Sequence, residues 1–442
     1  MLPAPSPSLS EATQAYLRVA AQSFGGPAGQ VAVMHRILVD EKGWISEERF
    51  LHALGFCMVL PGPEAQQLAT YVGWSLHGVR GGLIAGGLFV LPGFLSILAL
   101  SVLYTQLPQS LWVSGALFGL RAAALALILE AGLRIGGRVL KNNVMRVVCG
   151  LAFLLMLSDA APFPLIVLGA GMVGLLGARL RPAAFLVVGS ATPAGDDPAR
   201  TRPPFSAALI TALTWLTLWL GPVLGLSFAL GEAHVLTQLA QFFAGAATVT
   251  FGGAYAVLAY VAEQAVEVRG WLSAAEMLDG LSMAETTPGP LIQVVQHVGF
   301  LAAWRQPAGL PPLLAGVIGA VVTTWVTFAP SFLWIFTGAP YIEWLRGDPR
   351  LRAALSTVSA AVVGVIAHLG VWLTLHVCFT EVQTLSLGLG LGLKRPVLSS
   401  VDLPALGIAS LAAVALLRFH LGAPRTLLGA VLLGLVWSLL RG

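Results

Sequence analysis

Charge is scarce in this chain. Asp, Glu, Lys and Arg together make up 10% of its 442 residues, against roughly a quarter in an ordinary soluble domain, and that excludes a water-solvated surface over most of the molecule. Cysteine is scarcer still. Cys57, Cys149 and Cys378 stand far apart with no metal-type spacing, so a disulfide framework and a zinc site are both excluded and the three read as small apolar fillers. The first dozen residues, Met1 to Ala12, hold no basic residue; without the charged start of a cleaved leader, the mature chain is expected to begin near Met1. Gly-x-x-x-x-Gly-Lys-Ser/Thr, Gly-x-Ser-x-Gly and His-Glu-x-x-His are all missing, which argues against a nucleotide-driven pump and against an intramembrane hydrolase. No cofactor and no metal are expected, and the chain reads as a non-enzyme. The net charge of +4 is scattered over loops rather than gathered on one face, so nucleic acid is not an expected partner.

What the chain has is apolar length. Hydrophobic residues reach 57% and the mean hydropathy is +0.84. Gly81–Tyr104, Gly115–Leu133, Phe205–Leu230 and Leu310–Phe336 each reach the roughly 20 residues that span a bilayer as helix. The expected fold is an all-α integral membrane protein with about 13 helical regions (range 10–14). These are 11–38, 47–77, 81–106, 112–138, 146–160 and 163–180, then 205–230, then 236–262, 274–300, 310–337, 352–378, 400–418 and 424–440. Turn formers and charges in Ala191–Pro204 mark a linker.

The landmarks repeat. Phe24-Gly25-Gly26-Pro27, Gly43-Trp44 and Pro61-Gly62-Pro63 return as Phe251-Gly252-Gly253-Ala254, Gly270-Trp271 and Pro288-Gly289-Pro290, each shifted by 227 positions. A later echo, Leu91-Pro92-Gly93-Phe94-Leu95 against Ala329-Pro330-Ser331-Phe332-Leu333, has a shift of 238, so residues were inserted between the second and third regions of the second copy. The expected division is a first repeat over 1–190, a cytoplasmic linker over 191–204, a connecting transmembrane helix within 205–235 and a second repeat over 236–442. Seven crossings would separate each landmark from its copy, and an odd number makes the repeats inverted. Loops on the amino-terminal side hold 15 Lys and Arg against seven on the other, which puts the amino terminus in the cytoplasm.

Gly-Gly-Pro and Pro-Gly-Pro within apolar stretches end one helical piece and start the next. Broken backbone at membrane depth is tolerable where it is buried in protein or lines a watery cavity, and the restarting helix ends offer spare N–H donors to an anion. Phe24, Gly25, Gly26, Pro27, Pro61, Gly62, Pro63, Phe251, Gly252, Gly253, Thr287, Pro288, Gly289 and Pro290 are therefore candidate substrate-binding positions. Gln66 and Gln293, 227 apart, either donate to an anion or bond a partner helix. Arg121, inside Leu117–Leu129 with no acidic neighbour within a helical turn, offers a fork of donors suited to a tetrahedral oxyanion. Glu64, Glu130, Glu285, His297 and His368 are candidates for coupling or gating. The Gly-Trp turns read as interfacial anchors followed by helix caps.

Ser23-Phe24-Gly25-Gly26-Pro27, Gly43-Trp44, Leu60-Pro61-Gly62-Pro63, Phe251-Gly252-Gly253, Gly270-Trp271 and Thr287-Pro288-Gly289-Pro290 resemble the chromate ion transporter family in its long bidomain form. The resemblance covers nearly the whole chain in order. It implies a secondary transporter that exports chromate from the cytoplasm across a bacterial inner membrane, with chromate resistance as the outcome and antiparallel halves; sulfate or another oxyanion is the alternative substrate. It leaves a homodimer open. Ala254 in place of the second proline and Glu64 after the first Pro-Gly-Pro are departures from the pattern.

Overall fold

The computed structural model describes residues 7–24, 26–58, 60–107, 110–185, 204–251, 254–341, 349–388 and 391–441. Helix dominates throughout. In the first repeat α1 is Leu9–Gln22, α2 Gly26–His35, α3 Glu47–Cys57, α4 Glu64–Gln106, α5 Leu111–Val139, α6 Asn143–Leu157, α7 Phe163–Leu180 and α8 the single turn Pro182–Phe185. The connecting helix α9 is Phe205–Leu230. The second repeat has α10 Val235–Thr248, α11 Ala254–Ala262, α12 Ala274–Thr286, α13 Val294–Arg305, α14 Pro312–Gly338, α15 Pro349–Cys378, α16 Leu403–Leu417 and α17 Ala423–Arg441. Each of the thirteen expected regions holds helix among the described residues, the four motif regions in separate pieces. A short antiparallel hairpin, β1 Val382–Gly388 with β2 Leu391–Pro396, fills a stretch expected to be loop.

Sequence explains where the elements start. Ser8 and Glu11 form a reciprocal capping box on α1, Ser46 accepts from the Arg49 N–H at α3, and Asn142 and Asp402 cap α6 and α16. Each Gly-Trp turn sets a cation over the indole, Lys42 on Trp44 and Arg269 on Trp271, again 227 apart. Seven helices among the described residues are long and apolar enough to cross a membrane. Their exposed Leu and Val side chains are what lipid would cover.

The motif regions are built differently. Their pieces run from 9 to 14 residues, about 14 to 21 Å of helix at 1.5 Å per residue, short of a bilayer core of about 30 Å. Arg18 pairs with Glu41 at 2.6 Å and Arg36 donates to Gln22 at 2.6 Å, so the end of the first region returns to the last turns of α1. Helical regions and full crossings are thus not the same count.

α4 contains a turn of its own at His77 (φ −135°, ψ 24°) and Gly78 (φ 62°, ψ −153°). Its two arms lie so close that a Cβ on Gly73 would strike the Gly81 carbonyl, and one on Gly81 the Gly73 carbonyl. The second repeat makes the same contact between α13 and α14, Gly299 against Gly319 and Thr323. There the arms run on past the contact and are joined by residues 306–311, and this extra length between the contacting residues accounts for the growth of the shift from 227 to 238.

The chain divides into two compact units. Unit 1 comprises Met1–Val102, Gly189–Ala254 and Thr287–Asp348; unit 2 comprises Leu103–Val188, Tyr255–Thr286 and Pro349–Gly442. Each draws on both repeats. In unit 1, α9 is fastened to α14 by Trp219 donating to the Val326 carbonyl at 2.9 Å and by Trp215 stacking on Phe332 at 5.2 Å. The core of unit 2 is a stripe of small residues, with Ala122, Ala123 and Ala126 of α5 against Ala409 and Ala412 of α16 and Ala430 of α17. Gly119 packs directly on the Ala430 carbonyl. Small side chains let helices approach closely where lipid removes the hydrophobic drive to associate.

Candidate functional site

The two Pro-Gly-Pro turns lie in unit 1, and each is tied to the helix break of the other repeat. The Gly62 N–H donates to the Thr250 carbonyl at 2.7 Å; the Gly289 N–H donates to the Ser23 carbonyl at 2.9 Å. Gly62 and Gly289 are 227 apart, as are Ser23 and Thr250. The two hydroxyls also act alike, Ser23 donating to Val19 and Thr250 to Ala246, both at 2.7 Å. This reciprocity, in which i meets j′ and j meets i′, is the mark of a two-fold relation.

Glycine is required at both tips. Gly62 has φ +126° and Gly289 φ +109°, conformations closed to residues with a Cβ. A Cβ on Gly289 would stand 2.9 Å from the Cα of Gly93, and one on Gly62 would stand 2.7 Å from Gln67 Nε2 and 3.1 Å from Ser331 Oγ. Gly93 and Ser331 are equivalents on the 238 shift. Each turn therefore also packs on the proline-containing helix of the other repeat, Pro92-Gly93 or Pro330-Ser331.

Neutral amides surround these turns. Gln66 and Gln293, equivalent by spacing, are both buried and bond within the protein. Gln66 Nε2 donates to Thr70 Oγ1 at 3.2 Å; Gln293 Nε2 donates to Gln296 Oε1 at 2.6 Å, and Gln296 Nε2 in turn to the Phe94 carbonyl at 2.9 Å. Gln67 donates to the Pro61 carbonyl at 2.8 Å and Gln30 to the Gly289 carbonyl at 2.6 Å. Because Phe94 and Pro61 offer only oxygens, the carboxamides of Gln293 and Gln67 are oriented without ambiguity. Their Oε1 atoms, with Gln66 Oε1 and Ser331 Oγ, are buried with no protein hydrogen-bond partner. The Gly62 and Gly289 peptide donors are thus spent on the Thr250 and Ser23 carbonyls, and the unpartnered carboxamide oxygens suit a water or a hydroxyl. Gln30, Gln67 and Gln296 carry it as much as the two foreseen glutamines; their only sequence signal is polarity inside an apolar run.

Other expected members of unit 1 have local roles. Glu64 is the first residue of α4, the place in a helix that favours an acidic side chain. His297 is buried, its Nδ1 2.8 Å from Ser101 Oγ. Pro63 and Pro290 directly precede their helical pieces, and Pro27 is the second residue of α2. Phe24 is exposed, Phe251 half-buried and Thr287 buried. Gly25, Gly252, Gly253 and linker positions 191–203 lie outside the described residues.

Unit 2 holds Arg121, Glu130, Glu285 and His368. Arg121 has an acidic partner 158 residues away: its Nε donates to Asp279 Oδ1 at 2.5 Å and its Nη2 to Asp279 Oδ2 at 2.7 Å, while Tyr104 adds a third bond to Oδ2 at 2.9 Å. Glu285 is buried and accepts from the Tyr255 hydroxyl at 2.7 Å. Glu130 is half-buried and paired with Arg134 at 3.2 Å one turn on. His368 lines a cavity of about 20 Å³ with Asp159, Glu263, Glu267, Trp372 and Lys394, room for about one water. Glu267 accepts from Trp372 at 2.7 Å and from Lys394. Burial, then repulsion from Asp159 and Glu267, pushes the Glu263 carboxyl up to about 7, against the pull of Lys394. Asp279, Tyr104, Tyr255 and Glu263 went unrecognised in the sequence, where nothing sets them beside their partners.

A family model described as Chromate transporter matches residues 11–175 and 237–435. The chain belongs to the chromate transporter family. The chromate transport protein of Pseudomonas aeruginosa is 34% identical over 383 residues, which cover 85% of this chain and 83% of that one. The chromate transport protein of Cupriavidus metallidurans is 27% identical over 435 residues, 98% of this chain and 94% of that one. An uncharacterised transporter of Methanocaldococcus jannaschii is 25% identical over 370 residues, 82% and 83% of the two chains. No solved structure matches. In this member of the chromate transporter family each matched stretch holds one full set of landmarks, and α9, the helix without a counterpart, falls between them.

Proposed function

We propose that this chain is a secondary transporter that exports chromate from the cytoplasm across the bacterial inner membrane, conferring chromate resistance. The observation that carries the reading is the reciprocal pair of Gly62–Thr250 and Gly289–Ser23 hydrogen bonds, which buries two broken-helix ends and a set of neutral amides together. A tetrahedral oxyanion that displaces these internal bonds can be held there by peptide and carboxamide N–H groups; Arg121, in unit 2, is a separate oxyanion-binding candidate. The similar proteins of Pseudomonas aeruginosa and Cupriavidus metallidurans are named chromate transport proteins, which supports chromate as the substrate. Export of a dianion from a negative interior gains about 4.6 kcal/mol per 100 mV, from about 2.3 per charge. The two repeats, 1–190 and 236–442, are taken as inverted about the shared turns, with the amino terminus and linker in the cytoplasm. Glu64, Glu130, Glu285, His297 and His368 are the coupling or gating candidates.

The test is competitive flux in inside-out vesicles containing the full chain, with chromate against sulfate under an imposed potential or pH gradient. Saturable chromate uptake driven by an interior-positive potential is expected. Sulfate uptake with no chromate uptake would replace the substrate, and non-saturating flux would replace a transporter with a channel.

A further inference from the structure

Asp279 is a fully buried carboxylate on a helix of a membrane protein, yet it is fully served. Both oxygens accept from the Arg121 fork, at 2.5 and 2.7 Å, and Tyr104 completes Oδ2 at 2.9 Å. The pairing is side-on, two parallel N–H bonds to two oxygens, which is also how a guanidinium engages a tetrahedral oxyanion. The two partners differ in access: the Arg121 side chain is 30% exposed, that of Asp279 0%. The acid sits behind the guanidinium, and the cation keeps an open edge.

Charge makes the two possible ligands of Arg121 exclusive. Its charged neighbours are Asp279 and Glu276, with Tyr104 beside them; Glu276 lies one turn before Asp279 and caps its own helix through Ser273. Among the described residues no second cation acts on Arg121 to offset a dianion arriving next to a buried carboxylate. Like charges a few ångströms apart, away from water, repel strongly. Nor does stability explain why such a pair is kept, since a buried ion pair stabilises little relative to apolar residues of the same volume. The duplication does not explain it either: the counterparts of Asp279 and Arg121 are His52 and Ser359, on the 227 and 238 shifts.

We infer that Asp279 is an internal counter-ligand: its carboxylate fills the Arg121 fork when the transporter is empty, and the oxyanion reaches Arg121 by displacing it. This rests on the chromate-transport reading and adds a residue that sets affinity by competition. Asp279 acts through Arg121 and is a positioning residue. Displacement must leave Asp279 transiently served by Tyr104 alone, so part of the substrate's binding energy is consumed in release of the pair, which weakens apparent affinity and speeds unloading.

The experiment measures chromate flux in inside-out vesicles at equal expression for the wild type, Asp279→Asn, and the neutral pair Arg121→Gln/Asp279→Asn. For Asp279→Asn the KM for chromate is expected to fall about tenfold, with a lower kcat as unloading slows, a split that a purely structural pair would not produce. A KM unchanged or raised at normal expression overturns the inference. The double variant decides where the single one does not fold: expressed but inactive toward chromate supports competition for Arg121, whereas wild-type flux shows that the pair is only structural. If wild-type vesicles themselves carry no chromate, it is the transport reading that fails.

Discussion

Unit 1 keeps the duplication and unit 2 departs from it. In unit 1 the matched positions still do matched work: Ser23 and Thr250 accept, Gly62 and Gly289 donate, Gly93 and Ser331 receive the turns. In unit 2 four of the charged groups have no like counterpart: Arg121 answers to Ser359, Asp279 to His52, Glu285 to Met58 and Glu130 to His368. The difference has a physical basis. A turn tied to its own copy works only if both copies keep it, so backbone geometry is held by symmetry. A charge in a membrane interior is expensive and is placed once. Two equal halves cannot by themselves prefer a direction of transport, and the unequal charges of unit 2 are where that preference can arise.

The largest effect should come from breaking the charge pair of unit 2. Arg121→Gln leaves Asp279 buried and unpaired, a loss of about 3–5 kcal/mol, so the variant is expected to melt well below the wild type in detergent as well as to lose chromate flux. Glu130→Gln, by contrast, removes a partly exposed pair four residues apart, worth about 0.3–0.5 kcal/mol. If the two variants melt alike, the contrast between a buried, fully served ion pair and a surface one is wrong for this protein.

Next in size is a test of how equal the two turns of unit 1 are. Gly289→Ala forces a Cβ at φ +109° against the backbone of Gly93, and strain at such a φ alone costs about 1–3 kcal/mol. Gly62→Ala meets chiefly the end of the Gln67 side chain, which can move. Thermal unfolding of the two variants should therefore show Gly289→Ala as the more damaging. The reverse order would mean that the near-symmetry of the turns hides a different distribution of strain.

Much of unit 1 could be read in the sequence, because a broken helix announces itself with Gly and Pro and a duplication doubles the signal. The helical regions, both Pro-Gly-Pro turns and the equivalence of Gln66 and Gln293 all followed from that. What stayed hidden was pairing across distance. That Gly62 bonds Thr250 rather than its own repeat is a tertiary choice with no local trace. Arg121 looked unpaired because a search within one helical turn cannot reach Asp279, 158 residues on. The hairpin Val382–Pro396 did leave a period-2 trace in Leu385-Ser386-Leu387-Gly388, too short and too Gly-rich to stand out from a loop.

The smallest effect concerns pH. At the cavity of unit 2 the Glu263 carboxyl is raised from 4.5 to about 7, first by burial and then by Asp159 and Glu267. A raised carboxyl pKa means that the folded state binds the proton more tightly than the unfolded one, so its contribution is fully present below about 4.5 and is lost as pH rises through about 7. Glu263→Gln removes that loss: the variant should match the wild type near pH 4.5 and melt higher at pH 8. Glu267 runs the other way. Burial raises it, but the bonds from Lys394 and Trp372 prevail and hold it below its ordinary value, so its stabilisation is lost as pH falls. The Glu267→Gln melting curve should therefore lie below the wild type at pH 8 and converge with it in acid. If the two variants shift in the same direction at pH 8, the cavity is not organised around the Glu267–Lys394 pair, and Asp159, His368 or His376 must carry the balance of charge instead.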